Sequence, residues 1–209
     1  MIEYIYKTNI DDKVMQKTQD ILRSGGLVAY PTDTSWGVGC SINSKKGIEK
    51  LRRLKGTFKN NALTLICSSI SQISEVCFLT NNNFKLIKKL TPGPYVFILP
   101  AKAKIEKKTN MKRIEVGVRI PDHPVPKKIV ENMNSSIFSI TASKKMTEKG
   151  WWDTNYAEEN LFECGWEIEM IQGIDLILDT GETLNKSLST VIDLTGEEMR
   201  IIRIGIGKI

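Results

Sequence analysis

Histidine is almost absent from this chain, and its scarcity argues against two common kinds of active site. Among 209 residues there is one histidine, His123, so neither a Ser-His-Asp hydrolase nor a multi-histidine metal centre is expected. Cysteine is also sparse: Cys40, Cys67, Cys77 and Cys164 are scattered along the chain without a C-x-x-C pair. This spacing predicts reduced structural thiols rather than a disulfide framework or a zinc site.

Long apolar runs are missing as well. No run approaches the ~20 apolar residues that span a bilayer, so no membrane partner is expected. The amino-terminal sequence MIEYIYKTNIDDK lacks the basic-then-apolar pattern of a signal peptide, which predicts a cytoplasmic protein. Hydrophobic residues make up 41% and charged residues 26%, the composition of a folded domain with a substantial core. The length fits one domain over residues 1–209.

The balance of charge is the first feature that points to a partner. The formal net charge is +6, which permits an anionic ligand or surface. Much of the excess lies in two segments, Lys45–Lys59 and Lys102–Arg113. A solvated lysine-rich face is the alternative for each, and it is the preferred interpretation of Lys102–Arg113. Nucleic-acid binding stays open, although no arginine–aromatic RNA-binding motif supports it.

The order of predicted elements indicates an α/β fold. Helical spacing predicts a first helix with Thr8 as its cap and Gly25 as its stop, and Ser44 is expected to cap a second helix over Lys45–Leu54. Asn81–Asn83 is turn-like ahead of a further helix. Apolar runs predict the strands Leu27–Tyr30, Leu63–Cys67, Tyr95–Leu99, Ile114–Ile120, Ile137–Thr141, Ile174–Leu178, Thr190–Leu194 and Met199–Ile204. Strands interleaved with helices, then strands in succession, predict a single domain with an open, twisted, mixed sheet and helices packed against it.

The stretch Gly25–Cys40, GGLVAYPTDTSWGVGC, carries the densest group of small polar side chains. Pro31 interrupts the predicted strand, and the oxygen-bearing residues 32–35 follow it. They suit a polar ligand at the end of a buried strand, but they could equally form a turn that satisfies its own backbone. Gly37 and Gly39 leave room for a ligand or another strand to approach closely. Taken alone, the stretch favours the turn.

The motif PTDTSWGVGC resembles the PTDTxYGLGC signature of the YrdC/Sua5/YciO family, the threonylcarbamoyl-AMP synthases and their relatives. Lys55 and then TPGPYVFILPA, GVRIPDHP, DLILDTG, STVIDLTG and IIRIG follow in the family's order, so the resemblance spans nearly the whole chain. RRLKGTFKNNALTLIC and TPGPYVFIL are most similar to the YciO-like branch. The resemblance implies a YrdC-like domain, an open α/β twisted fold with a concave, positively charged face.

The resemblance also implies a reaction. L-threonine, bicarbonate and ATP would be joined into threonylcarbamoyl-AMP with release of pyrophosphate, for threonylcarbamoyladenosine (t6A) modification of tRNA. Mg²⁺ would arrive with ATP, because the spacing of Asp33, Asp179 and Asp193 by itself gives no metal site. Other t6A-pathway proteins, and RNA on the basic concave face, are further partners that it leaves open. Such a site works by orientation and charge stabilisation and has little need of a protein nucleophile.

Site residues follow from the resemblance position by position. Arg119, in GVRIPDHP, is expected to clamp the threonine carboxylate, and Lys55 to contact the ATP phosphates. The alternatives are a surface arginine and a lysine that complements its helix dipole. His123 is expected to shape the turn after Arg119 rather than to transfer protons. The remaining implied residues are Thr34, Cys67, Thr141 and Ser189 for threonine, and Lys59, Ser143 and Arg203 for the nucleotide.

Three positions depart from the family pattern. Thr57 stands where an arginine is usual, Cys67 where a histidine is usual, and Ser143 where an asparagine is usual. A serine has a shorter arm and fewer hydrogen-bonding groups than an asparagine. Lys59 or Arg53 is the candidate replacement for the missing charge at position 57. The departures leave open a second function, a family member with weakened chemistry that binds a nucleotide or double-stranded RNA.

Overall fold

The computed structural model describes residues 1–56, 63–103, 105, 107, 115–147 and 157–209. Within these residues, ten strands form one sheet: β1 (Ile2–Tyr4), β2 (Val28–Tyr30), β3 (Gly37–Ser41), β4 (Thr64–Ile66), β5 (Tyr95–Pro100), β6 (Glu115–Arg119), β7 (Ile137–Thr141), β8 (Leu176–Asp179), β9 (Thr190–Asp193) and β10 (Arg200–Arg203). The principal helices are α1 (Asp12–Arg23), α2 (Lys45–Lys55), α3 (Ile70–Val76), α4 (Asn81–Leu90) and α5 (Pro124–Met133). Short 3-10 helices cover Lys144–Thr147, Glu158–Asn160 and Gly165–Met170.

The strands follow the order β1-β8-β2-β3-β7-β4-β6-β5-β9-β10, so β1 and β10 are the edges of an open sheet. Four neighbouring pairs are parallel: β1 with β8, β8 with β2, β4 with β6, and β5 with β9. The remaining pairs are antiparallel. This arrangement confirms the prediction of a single α/β domain with an open mixed sheet. No helix of the described part of the chain is long and apolar enough to cross a membrane.

Helices pack on both faces of the sheet, and the alternation of side chains along each strand supplies the contacts. On one face, called here the α1/α5 face, Met15 and Leu22 of α1 and Ile129 of α5 join Val28 and Tyr30 of β2 in one core cluster. On the opposite face, apolar residues of α2, α3 and α4 join the intervening strand residues in a larger cluster. Helices therefore contribute to the hydrophobic core on both faces of the sheet.

The second helix forms where the sequence predicts it. Ser44 caps α2, its hydroxyl accepting a hydrogen bond from the amide of Gly47 at 3.1 Å. Gly56 closes the helix at a φ of +78°, in the left-handed region that favours glycine. Because the cap and the stop are both encoded locally, the prediction misses only the last residue, Lys55.

Two other helix starts differ from the prediction. The first helix begins at Asp12 with Asp11 as its cap, and Thr8 lies in the turn before it, inside a bridge between Tyr6 and Asn9. Asn81–Asn83, expected to form a turn, is the first turn of α4. The hydroxyl of Thr80 accepts a hydrogen bond from the amide of Asn83, so capping overrides the weak helix propensity of three asparagines.

His123 shapes the start of α5, as predicted. Its Nδ1 accepts a hydrogen bond from the amide of Val125 at 3.2 Å, so the proton sits on Nε2, which lies 2.6 Å from Oε1 of Glu182. Burial lowers the pKa of His123, and the hydrogen bond to Glu182 offsets this only in part. Burial opposes ionisation of Glu182, but hydrogen bonds from His123, Lys7 and Thr180 outweigh it and lower its pKa to about 2.

These shifts predict a stability that falls on mild acidification. Below about pH 6.5 the unfolded chain protonates its only histidine, whereas the folded chain resists protonation, so stability present at neutral pH is lost as the pH drops. Urea unfolding between about pH 7.5 and 5.5 is expected to show this slope. In His123→Asn, which can still cap α5, the slope should disappear. An unchanged slope would assign it to other groups.

Candidate functional site

A cavity of about 590 Å³ opens on the α1/α5 face, beyond the strands that the two helices cover. The pairing register of the strands explains which side chains form the floor of the cavity. Thr64 pairs with Gly117 and with Ser139, and Ile98 pairs with Gly117, so one row of side chains from four strands faces the same way. The cavity is lined by Thr32, Ser35, Trp36, Gly37, Lys55, Leu63, Thr64, Ile66, Val96, Ile98, Glu115, Val116, Gly117, Arg119, Ser139, Ile140, Thr141, Ser189, Val191 and Arg203.

The polar loop between β2 and β3 forms one wall. The hydroxyl of Thr32 accepts hydrogen bonds from the amides of Thr34 and Ser35 and donates one to the carbonyl oxygen of Ser35. The loop therefore satisfies its own backbone, as the turn interpretation required. It also presents Thr32, Ser35 and Trp36 to the cavity, so the two interpretations of this stretch are compatible.

The glycines of β3 make room for a side chain. A Cβ atom on Gly37 would lie 2.9 Å from Cε2 of Tyr30, and one on Gly39 would lie 3.1 Å from Cε1 of the same ring. The Tyr30 hydroxyl lies 2.6 Å from the hydroxyl of Ser139, which lines the cavity. Burial raises the pKa of Tyr30, so this hydroxyl stays protonated. The two glycines accommodate an aromatic ring, and Gly37 also lines the cavity.

Arg119 is buried at the cavity and held by two side chains. It is the last residue of β6 and only 7% exposed. Its Nη1 donates to the Thr34 hydroxyl at 3.0 Å and its Nη2 to Oδ1 of Asp33 at 2.6 Å. Burial lowers the pKa of Arg119, and the charge of Asp33 opposes this effect. The structure thus brings the predicted residues Arg119 and Thr34 into direct contact.

Ser189 and Arg203 lie at the Arg119 end of the sheet. Ser189 directly precedes β9, whose first residue pairs with Tyr95 at the start of β5, and β5 runs antiparallel to β6. Arg203 donates from Nε and Nη2 to the Ser189 carbonyl oxygen, at 3.1 and 2.9 Å. Both residues line the cavity. Ser189 and Arg203, both predicted to bind a ligand, therefore lie side by side at one end of the cavity.

Lys55 and Thr141 also line the cavity. Lys55 is the last residue of α2. It is only 9% exposed, so most of its side chain is packed against the protein even though the residue lines the cavity. Thr141 pairs with Gly37 at the end of the sheet opposite to Arg119. Glu115, four residues before Arg119 on β6, places a carboxylate at that same opposite end. The cavity is therefore polar at both ends, with a largely apolar floor between them.

Three predicted residues in the described part of the chain do not line the cavity: Thr34, which reaches it only through its contact with Arg119, Cys67 and Ser143. Cys67 is fully buried in the core with its Sγ 3.3 Å from the Ser136 hydroxyl, and burial raises its pKa to about 12. Ser143 is 1% exposed, and its hydroxyl accepts a hydrogen bond from the amide of Lys145. The prediction that Cys67 or Ser143 contacts a ligand directly has no support in this geometry. Lys59 and Thr57 lie outside the described residues.

Sequence reasoning missed most of the floor and part of the loop wall. Glu115 and Gly117 precede Arg119 by four and two residues on one strand, so the period-two pattern of a strand places them on the same face. This alternation could have predicted that Glu115 and Gly117 line the cavity together with Arg119. Thr64, Val96, Ile98 and Val191 carried no such signal, because their placement depends on the order in which the strands assemble.

The acidic residues considered for a metal are engaged with protein groups. Asp33 pairs with Arg119, and Oδ1 of Asp179 accepts a hydrogen bond from the amide of Gly181. Asp193 pairs with Arg200 at 2.6 Å and also accepts from Thr195. Among the residues that the structure describes, no group of three or more potential metal ligands is assembled.

The chain belongs to the Sua5/YciO/YrdC family. The Sua5/YciO/YrdC family model, which carries the description telomere recombination, matches residues 20–205. Among curated relatives, the uncharacterised protein YciO of Escherichia coli strain K12 is 29% identical over 207 residues, covering 99% of this chain and 96% of YciO. A threonylcarbamoyl-AMP synthase of Saccharophagus degradans is 30% identical over 132 residues, covering 63% of this chain and 69% of that protein.

Solved structures agree with this assignment. The crystal structure of E. coli YciO superimposes with a TM-score of 0.82 at 28% identity, covering 100% of this chain and 97% of that one. The crystal structure of P. abyssi Sua5 complexed with L-threonine gives a TM-score of 0.83 at 24% identity, covering 98% of this chain and 57% of that one. The fold is therefore shared along the full length of the chain.

Proposed function

We propose that this protein is a threonylcarbamoyl-AMP synthase-like enzyme that joins L-threonine, bicarbonate and ATP and releases pyrophosphate. One observation carries the proposal: a single cavity collects Arg119, Ser189, Arg203, Lys55 and Thr141, which come from five separate parts of the chain. Membership of a family that includes proteins named threonylcarbamoyl-AMP synthase supports the reaction. The P. abyssi Sua5 structure, which has the same fold, is a complex with L-threonine.

The Arg119 end suits the amino acid. Thr34 and Asp33 fix the plane of the Arg119 guanidinium, and Arg119 lines the cavity, so it suits a carboxylate in charge and in planar geometry. Ser189 adds a hydroxyl at the same end of the cavity, and the buried Thr34 hydroxyl holds Arg119 in place. Because these groups are buried and already ordered, little conformational entropy is lost when threonine binds.

Lys55 and Arg203 suit the phosphates of ATP. Both line the cavity, and a lysine and an arginine together offer a point charge and a fork to a polyphosphate. Mg²⁺ would enter with ATP as part of the substrate, because the carboxylates of Asp33 and Asp193 are already paired with arginines.

Bond making in this reaction needs no protein nucleophile. The threonine amine would attack the bicarbonate carbon with loss of water, and the resulting carbamate oxygen would attack the α-phosphorus of ATP with loss of pyrophosphate. The cavity contributes orientation of the three reactants and cations that stabilise the developing negative charge. No cysteine lines it among the residues that the structure describes, which agrees with this account.

Pyrophosphate release tests the proposal. Release should require ATP, L-threonine and bicarbonate together, and omission of any one should abolish it. A family member with weakened chemistry that only binds a nucleotide or double-stranded RNA is the second candidate. It is favoured by Ser143, which stands at a position where the family usually has an asparagine and is buried away from the cavity. Binding of ATP or RNA without pyrophosphate release would support this second function and contradict the first.

Lys55→Met is expected to weaken ATP binding about tenfold, the usual effect of one lost hydrogen bond to a charged group. Methionine keeps the packed stem and removes the charge. Lys45→Met, at the exposed start of the same helix, is the matched control and should leave ATP affinity unchanged. Calorimetric titration of both variants measures the difference. An equal effect of the two substitutions would remove Lys55 from the phosphate site.

A further inference from the structure

The sheet edge at β10 carries the largest group of exposed aliphatic side chains in the part of the chain that the structure describes. Five of them fall between positions 199 and 206, and each is between 44% and 83% exposed. Single exposed apolar residues are ordinary, but a contiguous group of them indicates an interaction surface. The group is called here the β10 strip and consists of Met199, Ile201, Ile202, Ile204 and Ile206.

The β10 strip does not belong to the cavity. Ile201 pairs with Ile192, which is part of the core cluster that α2, α3 and α4 cover. Arg203 pairs with Val191, and both of these residues line the cavity on the opposite face. Because Ile201 and Arg203 lie on opposite faces of the edge strand, the strip and the cavity can serve different partners.

The same arrangement continues beyond the end of β10. The backbone stays hydrogen-bonded to the segment before β9, since the amide of Ile206 donates to the carbonyl oxygen of Leu188 at 3.0 Å. Gly205 and Gly207 face the protein, where an added Cβ would meet backbone or ring atoms. Ile204 lies between them and is the most exposed residue of the strip. Side-chain alternation therefore extends the strip along the edge of the sheet.

The β10 strip is large enough to form the centre of a protein interface. At their exposed fractions its five side chains present roughly 500 Å² of apolar surface, against about 800 Å² that each partner buries in a standard interface. Four of the five are isoleucines, which have few χ1 rotamers, so covering them costs little side-chain entropy.

The charges at the two ends of the strip indicate which partner it fits. Glu197 and Glu198 precede the strip, Lys208 follows it, and all three are exposed. Arg200 is already paired with Asp193 at 2.6 Å. A second copy related by a two-fold axis would run antiparallel, so the acidic end of each copy would meet the basic end of the other. The strip is therefore complementary in charge to itself.

We propose that the β10 strip is the interface of a symmetric homodimer, in which the strips of two copies pack against each other in antiparallel orientation. The aliphatic side chains form the centre of the interface. Glu197 and Glu198 lie beside Lys208 of the partner subunit at each end. The two-fold symmetry closes the assembly at two copies. The proposal goes beyond the proposed function and does not depend on it, because the strip and the cavity lie on opposite faces.

Sedimentation velocity on the full chain tests the dimer. The wild type should be dimeric at micromolar concentration, and Ile204→Asp should raise the dimer dissociation constant at least about 30-fold, because it places a charge in the centre of the interface. Tyr4→Asp is the matched control at the other edge of the sheet, where Tyr4 of β1 is exposed, and it should leave the dimer unchanged. Urea unfolding confirms that both variants are folded.

Charge reversal tests the antiparallel orientation. Lys208→Glu should dimerise several-fold more weakly than the wild type, and so should the double variant Glu197→Lys with Glu198→Lys, because each places like charges at both ends. An equimolar mixture of the two variants should recover the affinity of the wild type, since opposite charges then meet at both ends. A mixture that dimerises no better than its components would overturn the antiparallel arrangement.

Three other outcomes would overturn the proposal. A wild type that remains monomeric at all accessible concentrations would show that the strip does not join two copies. Oligomers that keep growing with concentration would indicate a contact that does not close, such as β10 of one copy with the free β1 edge of another. A dimer that Ile204→Asp leaves intact would place the interface elsewhere on the protein.

Discussion

Arg119→Gln is expected to lower the affinity for L-threonine by about 10- to 100-fold, the effect of losing a hydrogen bond to a charged group. It should also lower the free energy of unfolding by about 3 kcal/mol, because Asp33 would be left as a buried charge without its partner. Urea unfolding and calorimetric titration measure the two effects separately.

Companion variants separate the two effects. Arg119→Lys keeps the positive charge and should recover most of the stability, but not the forked contact with the carboxylate. In the double variant Arg119→Gln with Asp33→Asn, no buried charge remains, so stability should recover while threonine binding does not. Normal threonine affinity in Arg119→Gln would remove Arg119 from the substrate site.

Gly205→Ala is expected to lower the free energy of unfolding by about 2–3 kcal/mol, as in other overpacked sites. A Cβ on Gly205 would overlap the carbonyl oxygen of Leu188 and the carbonyl carbon of Ser189, and would lie 2.7 Å from the Ser189 carbonyl oxygen. These are backbone atoms that cannot rotate away. The Ser189 carbonyl is also the acceptor for Arg203, so threonine and ATP affinity should both fall.

Gly196→Ala is the matched control for this substitution. Gly196 is exposed in the turn before β10, and the nearest atom to its added Cβ would be 3.9 Å away. Its stability and its affinities should stay close to those of the wild type. If Gly205→Ala is as stable as Gly196→Ala, the segment after β10 adapts more readily than its close packing indicates.

Local signals explain why much of the chain was predictable. The α2 helix carries its own cap in Ser44 and its own stop in Gly56, and both lie where the pattern indicates. Arg119 follows an alternating strand and precedes a Pro-Asp-His-Pro turn, so its place at a strand end follows from neighbouring residues. Features of this kind need no knowledge of distant contacts.

The unpredicted features depend on partners far away in the sequence. β3 contains two glycines, which have weak strand propensity, and it forms because β7 pairs along its length and the Tyr30 ring fills the space above it. β1 has three residues and is defined by its pairing with β8. Cys67 and Ser143 follow apolar strands, and the pattern could not distinguish a side chain that faces the cavity from one that faces the core.

The strand order has a consequence for how the protein acquires its binding capacity. Thr34, Arg119 and Ser189 are separated by about seventy to eighty-five positions in the chain, yet they meet at one end of the sheet. Contacts of such long range form late and slowly in folding, because the intervening loops must first be closed. No fragment of the chain then holds the site, so the threonine binding proposed above requires the native state. Bound threonine would therefore stabilise the sheet as a whole by mass action, because the residues proposed to hold it lie next to β2, at the end of β6 and next to β9.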